Sequence, residues 1–466
     1  MMSKMRDFDF YRRIPKDLTE ATTHGSLLSI CAVMFMLILF LAELMAFLTV
    51  TYETNVVIDQ NVDPLLRINF NITVLDLPCE FAVIDVVDVL GTRTQNLTKN
   101  VNKWQIDEHG VRRNYAGRNR EQADVMHDTH HPDIDVLHEN GVHAFPINED
   151  NFEEWIKEHH YTFVNFYAPW CIWCQRLEPV WEAFAEYVEA KELPVSIVKV
   201  DCVENRNLCA KNKVQAFPML RLFKDGIAQP PDYRSDRTVD AFTAFIKTKI
   251  TTDDHVARLE PAQQEAHKKN EEMRRDDHPG CMLSGFLLVN RVPGNFHIEA
   301  RSTQHNLNPL LSNMSHVVNH LSFGPVLMKS ALRKIESVPD DYFSLASTNP
   351  INDKAFINYN LHQAFHHHIK AVPTTLEFGG KHSRRNPSNI LTYQMVQSAQ
   401  IMQYGEEDIP EARFSYDLSP MAVMVVKKGK QWYEFLTSIC ALIGGTFTVV
   451  GLLSGFLSTI FKSKKI

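Results

Sequence analysis

The sequence has no excess of basic residues: its 466 residues include 48 Lys and Arg against 56 Asp and Glu, and the formal net charge is −8. No basic stripe dominates any part of the chain, so nucleic acid is not an expected partner. Internal repeats of 20–50 residues are also missing, which argues against a repeat architecture. The chain is too long for one typical domain, so we expect several.

Charge is nearly missing from two long segments. Residues 26–50 carry Glu43 as their only charge, and residues 435–461 carry none. Each segment is long enough to cross a hydrocarbon layer about 30 Å thick. Buried core helices are the alternative, but both lengths exceed what a globular core usually needs. We therefore predict two transmembrane helices, 26–50 and 435–461.

Basic residues flank both predicted spans on their outer sides. They are Lys4, Arg6, Arg12, Arg13 and Lys16 before the first span, and Lys462, Lys464 and Lys465 after the second. The positive-inside rule places segments 1–25 and 462–466 in the cytosol and the residues between the spans in a lumen. The polar lead of about 25 residues favours an uncleaved signal-anchor over a signal peptide.

Three features of the spans and the tail are candidates for function. Glu43 is an intramembrane acid, which is a functional candidate by default and suits a helix–helix contact. Small residues suit close helix packing or occur by chance; they are Gly444, Gly445, Gly451 and Gly455. Lys462 and Lys464 stand fifth and third from the end, as in a dilysine retrieval signal read by a vesicle coat. The alternative is a basic stop-transfer cluster.

Cysteine is scarce, with eight residues, and Cys31 and Cys440 lie in the spans. The six predicted to be luminal suit an oxidising compartment and allow 15 pairings. Cys202 and Cys209 lie between two strand-like runs, where a structural pair can close, and Cys79 and Cys281 are candidates to bridge two halves of one domain. The sequence leaves the connectivity open. Three sequons are candidates for glycosylation, at Asn71, Asn96 and Asn313.

Cys171 and Cys174 form a C-x-x-C motif where an apolar run, 163–167, meets a helical pattern. A helix N-terminus favours a thiolate at the first cysteine, and the second can resolve a mixed disulfide. A zinc site would need two further ligands at matching spacing. Cys202 and Cys209 are separated by six residues and do not supply them. The motif therefore indicates thiol–disulfide exchange, and no metal or cofactor is expected.

The surroundings of this motif resemble the thioredoxin-fold active site of protein disulfide isomerases. The similarity runs from Ala144 to Ile250 and rests on the string 165–174, the strand-like run 195–201 and the segment 214–220. The resemblance implies an α/β thioredoxin-fold domain with Cys171 as attacking and Cys174 as resolving thiol. It also implies a cis peptide at Pro218, which shapes the substrate groove. Arg237 matches an exposed loop Arg that can swing toward the second cysteine.

The site departs from the isomerase pattern at several positions. Ile172-Trp173 replaces a Gly-His pair whose His stabilises the first thiolate, and Gln175 replaces a Lys. Asn165 stands where the family has a buried acid, and an amide cannot exchange protons. Lys199 is then expected to lose its partner. We expect a slow, relatively reducing or isomerising site.

A second resemblance covers residues 8–100 and 279–461 and points to ERGIC/Erv-type cargo receptors, which have two spans and a β-rich luminal domain. It rests on motifs in the same order, among them 77–80, 290–297 and 414–420. The redox domain is then an insertion into that domain, as in the membrane-bound disulfide isomerases of plants and protists. We predict receptor halves at 51–105 and 279–432, linkers at 106–140 and 251–278, and the thioredoxin-fold domain at 141–250.

Two functions follow from these resemblances. The first is a membrane-anchored thiol–disulfide oxidoreductase that acts on secretory proteins in the endoplasmic reticulum (ER) and the ER–Golgi intermediate compartment. The alternative is a cycling cargo receptor whose redox domain captures cargo; a related receptor subunit is a possible partner of either. Several histidines are predicted not to bind metal. Those in the second receptor half belong to a strand and those in the linker are solvated: His362, His366, His367, His368, His127, His130 and His131.

Overall fold

A computed structural model provides the structure of the chain. It describes residues 23–61, 63–88, 91, 99–107, 109–119, 124–128, 142–257, 261, 265, 280–378 and 389–462. The helices are α1 (Thr23–Leu48), α2 (Glu149–Glu158), α3 (Ile172–Ala190), α4 (Arg206–Lys211), α5 (Val239–Ala257), α6 (Lys329–Glu336) and α7 (Trp432–Lys462).

Twenty strands are assigned within the described residues. Those before the second receptor half are β1 (Thr51–Ile58), β2 (Leu65–Val74), β3 (Ala82–Asp88), β4 (Val101–Ile106), β5 (Arg112–Arg118), β6 (Phe145–Pro146), β7 (Tyr161–Tyr167), β8 (Ser196–Asp201), β9 (Ala216–Phe217), β10 (Met219–Lys224) and β11 (Ile227–Ala228). The others are β12 (Cys281–Asn290), β13 (Gly294–Ala300), β14 (Asn306–Leu307), β15 (His316–Phe323), β16 (Lys354–Phe356), β17 (Gln363–Glu377), β18 (Asn389–Gln403), β19 (Glu411–Leu418) and β20 (Met421–Lys428).

The chain divides into two compact units, one of residues 1–55, 376–390 and 424–466, and one of residues 56–375 and 391–423. In the first unit, the segments Ser29–Leu48 and Trp432–Leu453 are long and apolar enough to cross a membrane. Lys430 Nζ lies 2.8 Å from Glu43 Oε1, and the rings of Phe47 and Phe435 stack at 4.5 Å. The predicted helix contact at Glu43 is therefore present, between α1 and the segment that leads into α7.

The glycines of α7 do not contribute to that contact. A Cβ placed on any of them would meet nothing within 4 Å outside the helix's own backbone; they are Gly444, Gly445, Gly451 and Gly455. Close backbone approach is what would make a small residue necessary in a helix pair. The interpretation of these glycines as a packing face between the two described helices is therefore wrong.

The second unit contains a β-rich domain built from two sheets. One has the order β16-β15-β2-β12-β4-β5, and the other includes β17-β19-β13-β3. Strand β2 alternates buried apolar and polar positions, as expected of a strand with one face in a core. The rings of Phe70 on β2 and Phe296 on β13 lie 5.9 Å apart, so the two sheets pack face to face. The predicted sandwich-like fold is confirmed.

A five-stranded sheet of order β11-β10-β7-β8-β6 forms the thioredoxin-fold domain in the same unit. β7 pairs parallel with β8 and antiparallel with β10, and six of its seven residues are buried. A central strand buried on both faces explains its nearly continuous apolar sequence. The rings of Phe163, Trp181 and Phe242 pack together in a core formed with α3 and α5.

One strand lies inside the segment that the sequence assigns to a linker. β5 pairs with β4 at the edge of the six-stranded sheet, and Tyr115 packs edge-on against Trp104 at 5.1 Å. Asn119 extends the contact by accepting a hydrogen bond from Ile84 N at 2.9 Å. The hydrophobic pattern of the sequence did not predict this strand, because the residues of an exposed edge strand show no alternation of apolar and polar side chains. On the other side of the insertion, α5 ends at Ala257, and the rest of the predicted 251–278 linker lies almost wholly outside the described residues.

Candidate active site

Cys171 stands at the junction that the sequence predicts, between the end of β7 and the first residue of α3. It is the N-cap residue of α3, and its Sγ accepts a hydrogen bond from Cys174 N at 3.1 Å. The two cysteines form a disulfide. Cys171 is 0% and Cys174 4% exposed. A backbone N–H aimed at the first sulfur is the arrangement that stabilises a thiolate when the disulfide is reduced.

Pro218 follows β9 directly, and the Phe217–Pro218 peptide bond is cis. Phe217 packs in the same apolar cluster as both cysteines, and the Trp170 ring meets it edge-on at 5.9 Å. Trp170 and Ile172 keep about half of their surfaces exposed, at 53% and 50%. Their side chains give the buried disulfide an exposed apolar rim.

A cavity of about 370 Å³ lies beside Cys174 and contains a buried ion pair. Lys199 Nζ is 2.7 Å from Glu182 Oε1 and 3.7 Å from Glu178 Oε1. The other oxygen of Glu182 accepts a hydrogen bond from Ala144 N at 3.1 Å. The expectation that Lys199 loses its partner is therefore wrong, because α3 supplies a carboxylate in place of the acid missing from β7.

A helical spacing could have revealed this acid. Cys174, Glu178 and Glu182 are four residues apart in turn, so they share one face of α3. Asn165, by contrast, is 4% exposed, and its Oδ1 has no hydrogen-bond partner in the described part of the chain. Asn165 lies opposite Lys199 in the β7–β8 register.

Tyr167 also lines the cavity, but its phenol is not suited to accept a proton. Burial, assisted by the charge of Asp201, raises the pKa of Tyr167 to about 12. The phenol therefore stays protonated at neutral pH. Among the residues that line the cavity, this leaves the carboxylates of Glu178 and Glu182 and the ammonium of Lys199 as groups that can exchange a proton with a nearby thiol.

Arg237 is not the exposed, mobile side chain that the sequence predicts. It is 3% exposed; its Nη2 donates to Gln304 O at 3.0 Å and lies 3.0 Å from His305 Nε2. Burial lowers the pKa of Arg237 to about 10, so it stays charged. Burial, followed by the charge of Arg237, lowers the pKa of His305 to about 3, so a neutral ring can accept from Arg237. The sequence could not show this, because both partners belong to the β-rich domain.

His127 is likewise not solvated as predicted. Its ring stacks on Trp173, the residue before the resolving cysteine, with ring centres 5.2 Å apart. Burial is the main cause that lowers the pKa of His127, and the charge of Arg237 adds to it. His130 and His131 lie outside the described residues. A residue from the segment before the redox domain therefore covers one of the two residues between the cysteines.

Three family models match the chain. They are Endoplasmic Reticulum-Golgi Intermediate Compartment (ERGIC) over residues 5–95, Thioredoxin over 143–248 and Endoplasmic reticulum vesicle transporter over 240–454. Protein disulfide-isomerase 5-4 of Arabidopsis thaliana is 33% identical over 98% of this chain and 96% of its own length. Protein disulfide-isomerase 5-3 of the same plant is 34% identical over 100% of this chain and 98% of its own. The chain belongs to this family of protein disulfide-isomerases.

One further relative and one solved structure are also similar to this chain. A probable endoplasmic reticulum-Golgi intermediate compartment protein 3 of Dictyostelium discoideum is 26% identical over 100% of this chain and 98% of its own. The crystal structure of Erv41p covers 80% of this chain and 99% of its own, at 15% identity and a TM-score of 0.34. Both resemblances predicted from the sequence are confirmed by the family models. The protein is a membrane-anchored thiol–disulfide oxidoreductase of ER–Golgi membranes.

The other cysteines of this disulfide-isomerase form two further disulfides. Cys79 pairs with Cys281 across 202 residues of chain, and Cys202 pairs with Cys209. The first joins the two receptor halves on either side of the inserted domain. The second follows β8 and closes a short loop that includes the first residues of α4.

The histidine run of the disulfide-isomerase lies in β17, a strand of the β-rich domain. His367 is fully buried, and its Nε2 is 3.0 Å from Nε2 of His316 on β15, across the two sheets. The Nε2 of the neighbouring His366 lies 2.8 Å from the hydroxyl of Tyr404.

 The exposure of His366 is 9%, so His366 is also buried. The histidine run therefore stabilises the sheets through ring contacts, as predicted for a strand.

The remaining predicted sites are placed as follows. Asn71 is half-buried in β2, a strand paired on both sides, and Asn313 accepts a hydrogen bond from Ser315 N at 2.9 Å. Asn96 lies outside the described residues. Lys462 is the last residue of α7, and Lys464 also lies outside the described residues.

One charged cluster of the β-rich domain escaped the sequence reasoning. Ligand atoms of Asp85, His297 and Glu299 lie within 4.8 Å of one another on the second sheet. The cross-strand register places His297 opposite Asp85. Arg301 Nη1 lies 3.6 Å from Glu299 Oε1, so a cation of the protein already faces this group. We interpret the cluster as a buried charge network. Asp85 is far in sequence from His297 and Glu299, so only the pairing of β3 with β13 could have identified the cluster.

Proposed function

We propose that the Cys171–Cys174 pair exchanges disulfides with cysteine-containing secretory proteins in the lumen of the early secretory pathway. The observation that carries this proposal is the position of Cys171 at the N-cap of α3, where Cys174 N donates a hydrogen bond to its Sγ. This geometry favours the thiolate that thiol–disulfide exchange requires.

Isomerisation starts from the reduced site. The Cys171 thiolate attacks one sulfur of a client disulfide, so a mixed disulfide forms and the other client sulfur leaves as a thiolate. That thiolate can attack a different client disulfide, which forms a new S–S bond and frees another client thiolate. The freed thiolate then attacks the client sulfur of the mixed disulfide and releases Cys171 as a thiolate. If rearrangement stalls, Cys174 loses its proton and attacks Cys171 Sγ. The site then holds its own disulfide, and the client leaves with two more electrons than it brought.

When Cys174 resolves the mixed disulfide, its proton needs an acceptor. Glu182 is the buried carboxylate of the cavity beside Cys174, held by Lys199 and by the backbone N–H of Ala144. We assign it the role of proton acceptor, acting through solvent in the cavity. The expectation of a slow, relatively reducing site rested on the missing acid at Asn165 and on the changes at Ile172-Trp173 and Gln175. We infer that Glu182 of α3 replaces the missing acid, which removes the first of these grounds.

A trapping experiment tests the proposed function. In full-length protein carrying Cys174→Ala, mixed disulfides with clients cannot be resolved and should accumulate on non-reducing gels. The double variant Cys171→Ala, Cys174→Ala is the matched control and should trap nothing. Absence of adducts with the single variant, when that protein is correctly inserted, would contradict the proposal.

Location within the pathway rests on the two apolar helices and the basic tail. We propose that both termini face the cytosol and that Lys462 and Lys464 are read by a retrograde vesicle coat. Lys462→Ser with Lys464→Ser should then move the protein to later compartments, whereas Lys465→Ser should leave it in place. If the double variant keeps the distribution of the parent protein, the lysines act only as a stop-transfer cluster and the retrieval proposal is wrong.

Cargo capture is the second candidate function, and one observation favours it. Residues of the β-rich domain contact the redox domain directly, through Gln304 and His305 on Arg237. A receptor of this kind would trap few clients, and their export would require the β-rich domain as well as Cys171. A related receptor subunit is a possible partner in that role. Many trapped clients, independent of export, would favour the general enzyme.

A further inference from the structure

The backbone edge next to the redox disulfide is already paired with a strand from the β-rich domain. β14 runs antiparallel to β9, with Asn306 opposite Phe217 and Leu307 opposite Ala216. Asn308 continues this contact: its backbone N–H donates to Gln215 O at 2.8 Å, and its Nδ2 donates to Val214 O at 3.2 Å. The segment 304–308 thus lies along the residues that lead into Pro218.

Contacts on both flanks hold this arrangement in place. Arg237 binds Gln304 O and His305 Nε2, as described above, and Gln215 Nε2 donates to Asp76 O at 2.7 Å. Arg234 Nη2 lies 3.1 Å from Glu80 Oε1. On the other side of the disulfide, His127 stacks on Trp173. Ala216 even belongs to the apolar core of the β-rich domain.

This edge is where an extended client would have to lie. In disulfide exchange the incoming sulfur approaches Cys171 Sγ along the line of the bond that breaks, so it must come from the side away from Cys174. Phe217 packs with Cys171 in one cluster. An extended peptide gains both affinity and register by pairing with an exposed strand edge. β14 uses the same β9 backbone groups that such a peptide would use.

We propose that the segment 304–308 is an internal substrate mimic that closes the redox site to extended clients until it leaves β9. The proposal rests on the proposed exchange function of Cys171. It explains why Arg237 is buried: the side chain anchors the segment.

The segment limits the site to certain clients. A small thiol such as glutathione does not need the β9 edge, so its reaction should be insensitive to the segment. A cysteine-containing peptide must displace the segment or bind without pairing. Release of the segment should therefore raise the rate with peptides selectively.

The test uses full-length protein in detergent with two variants that weaken the segment. Leu307→Asp places a charge at a position that is 8% exposed, and Asn308→Ala removes the side-chain bond to Val214 O. Leu310→Asp is the matched control, because Leu310 is 36% exposed and lies just beyond the segment. Hydrogen exchange of the amides at Ala216 and Phe217 reports whether β9 has been released.

We expect faster amide exchange at β9 and a rise of about tenfold in the rate with a dithiol peptide in both variants, while the glutathione rate changes little. If the β9 amides exchange faster but the rate with the peptide is unchanged or slower, the proposal is wrong. It is also wrong if the β9 amides stay protected from exchange in both variants. If no form of the protein reacts with peptide or glutathione, the exchange function itself has failed, which the amide measurement distinguishes from failure of the mimic.

Discussion

Lys199 Nζ lies 2.7 Å from Glu182 Oε1 in the cavity beside Cys174. The carboxylate comes from the helix that begins at the redox motif, whereas the resemblance to disulfide isomerases places a buried acid on the preceding strand, at Asn165. The chain therefore keeps a partly buried Lys and a buried acid next to the resolving cysteine, with the acid in a different element. The first two predictions follow from this arrangement.

Replacing Glu182 should slow the resolution of mixed disulfides. Glu182→Gln keeps the shape of the side chain but removes the proton acceptor, so we expect resolution to be slower by about tenfold or more. Glu178→Gln is the matched control, because Glu178 is one turn earlier and more exposed. The measurement is the decay of a peptide mixed disulfide between pH 6 and 8. Equal effects of the two variants would refute a special role for Glu182.

An acid on β7 should compensate for the loss of Glu182. Asn165 lies opposite Lys199 in the strand register, so Asn165→Asp in the Glu182→Gln background restores a buried carboxylate near the same Lys. We expect it to recover most of the resolution rate, measured in the same assay. In the wild-type background, a second buried carboxylate should instead lower the free energy of unfolding by about 1–3 kcal/mol. A structural role for Glu182 would leave the double variant as slow as the single one.

The residue before Cys174 should set the redox balance. Trp173→His places a cationic ring near Cys171, which stabilises the thiolate and therefore the reduced form. We expect the reduction potential to rise by about 30 mV, measured by equilibrium with glutathione. Trp173→Phe is the control, since it also removes the indole that stacks on His127 but adds no charge. A potential that rises equally in both variants would attribute the effect to lost packing.

The β-rich domain should lose stability in acid because of a buried histidine pair. Burial lowers the pKa of His316 to about 4 and that of His367 to about 3, from an ordinary value of 6.5. At a pH between the ordinary value of 6.5 and these lowered pKa values, the unfolded chain binds protons that the folded chain does not. The free energy of unfolding should therefore fall by about 1.4 kcal/mol per pH unit for each His as the pH drops from 6.5 toward 4.

The check is the thermal unfolding midpoint across that pH range. His316→Gln removes one titrating group and should flatten the acid slope, although it also lowers stability at neutral pH. His160→Gln is the control, because His160 is exposed and far from this pair in the fold. An unchanged slope in the His316 variant would contradict the assignment.

The long-range disulfide should matter more for stability than the short one. Cys79 and Cys281 close a loop with a sequence separation of 202, against 7 for Cys202 and Cys209. On the loop-entropy model, Cys79→Ala with Cys281→Ala should lower the free energy of unfolding by about 5 kcal/mol, and the other pair by about 2 kcal/mol. Unfolding in denaturant compares the two double variants with the parent. Similar losses would show that chain entropy is not the main contribution.

Local patterns were enough to identify the elements of the redox site. The apolar run of β7, the helical pattern after Cys171 and the spacing of the two thiols are encoded within a few residues, because a strand, a cap and a helix each depend on near neighbours. The two apolar helices follow in the same way from length and composition. The edge strand β5 did not, since its exposed polar residues have no alternation for a pattern to detect.

What surrounds the redox site was decided by tertiary structure. Glu182 reaches Lys199 because α3 packs over β8, and Arg237 is buried because residues from 304–305 bind it. The four-residue spacing of Cys174, Glu178 and Glu182 indicates that Glu182 shares a helix face with the resolving cysteine. No local pattern indicates which residues bind Lys199 or Arg237. The sequence by itself therefore determined which chemistry the protein carries, since the motif is local. The partners of the proton acceptor Glu182 and the segment that pairs with β9 lie elsewhere in the chain, and only folding brings them to the site.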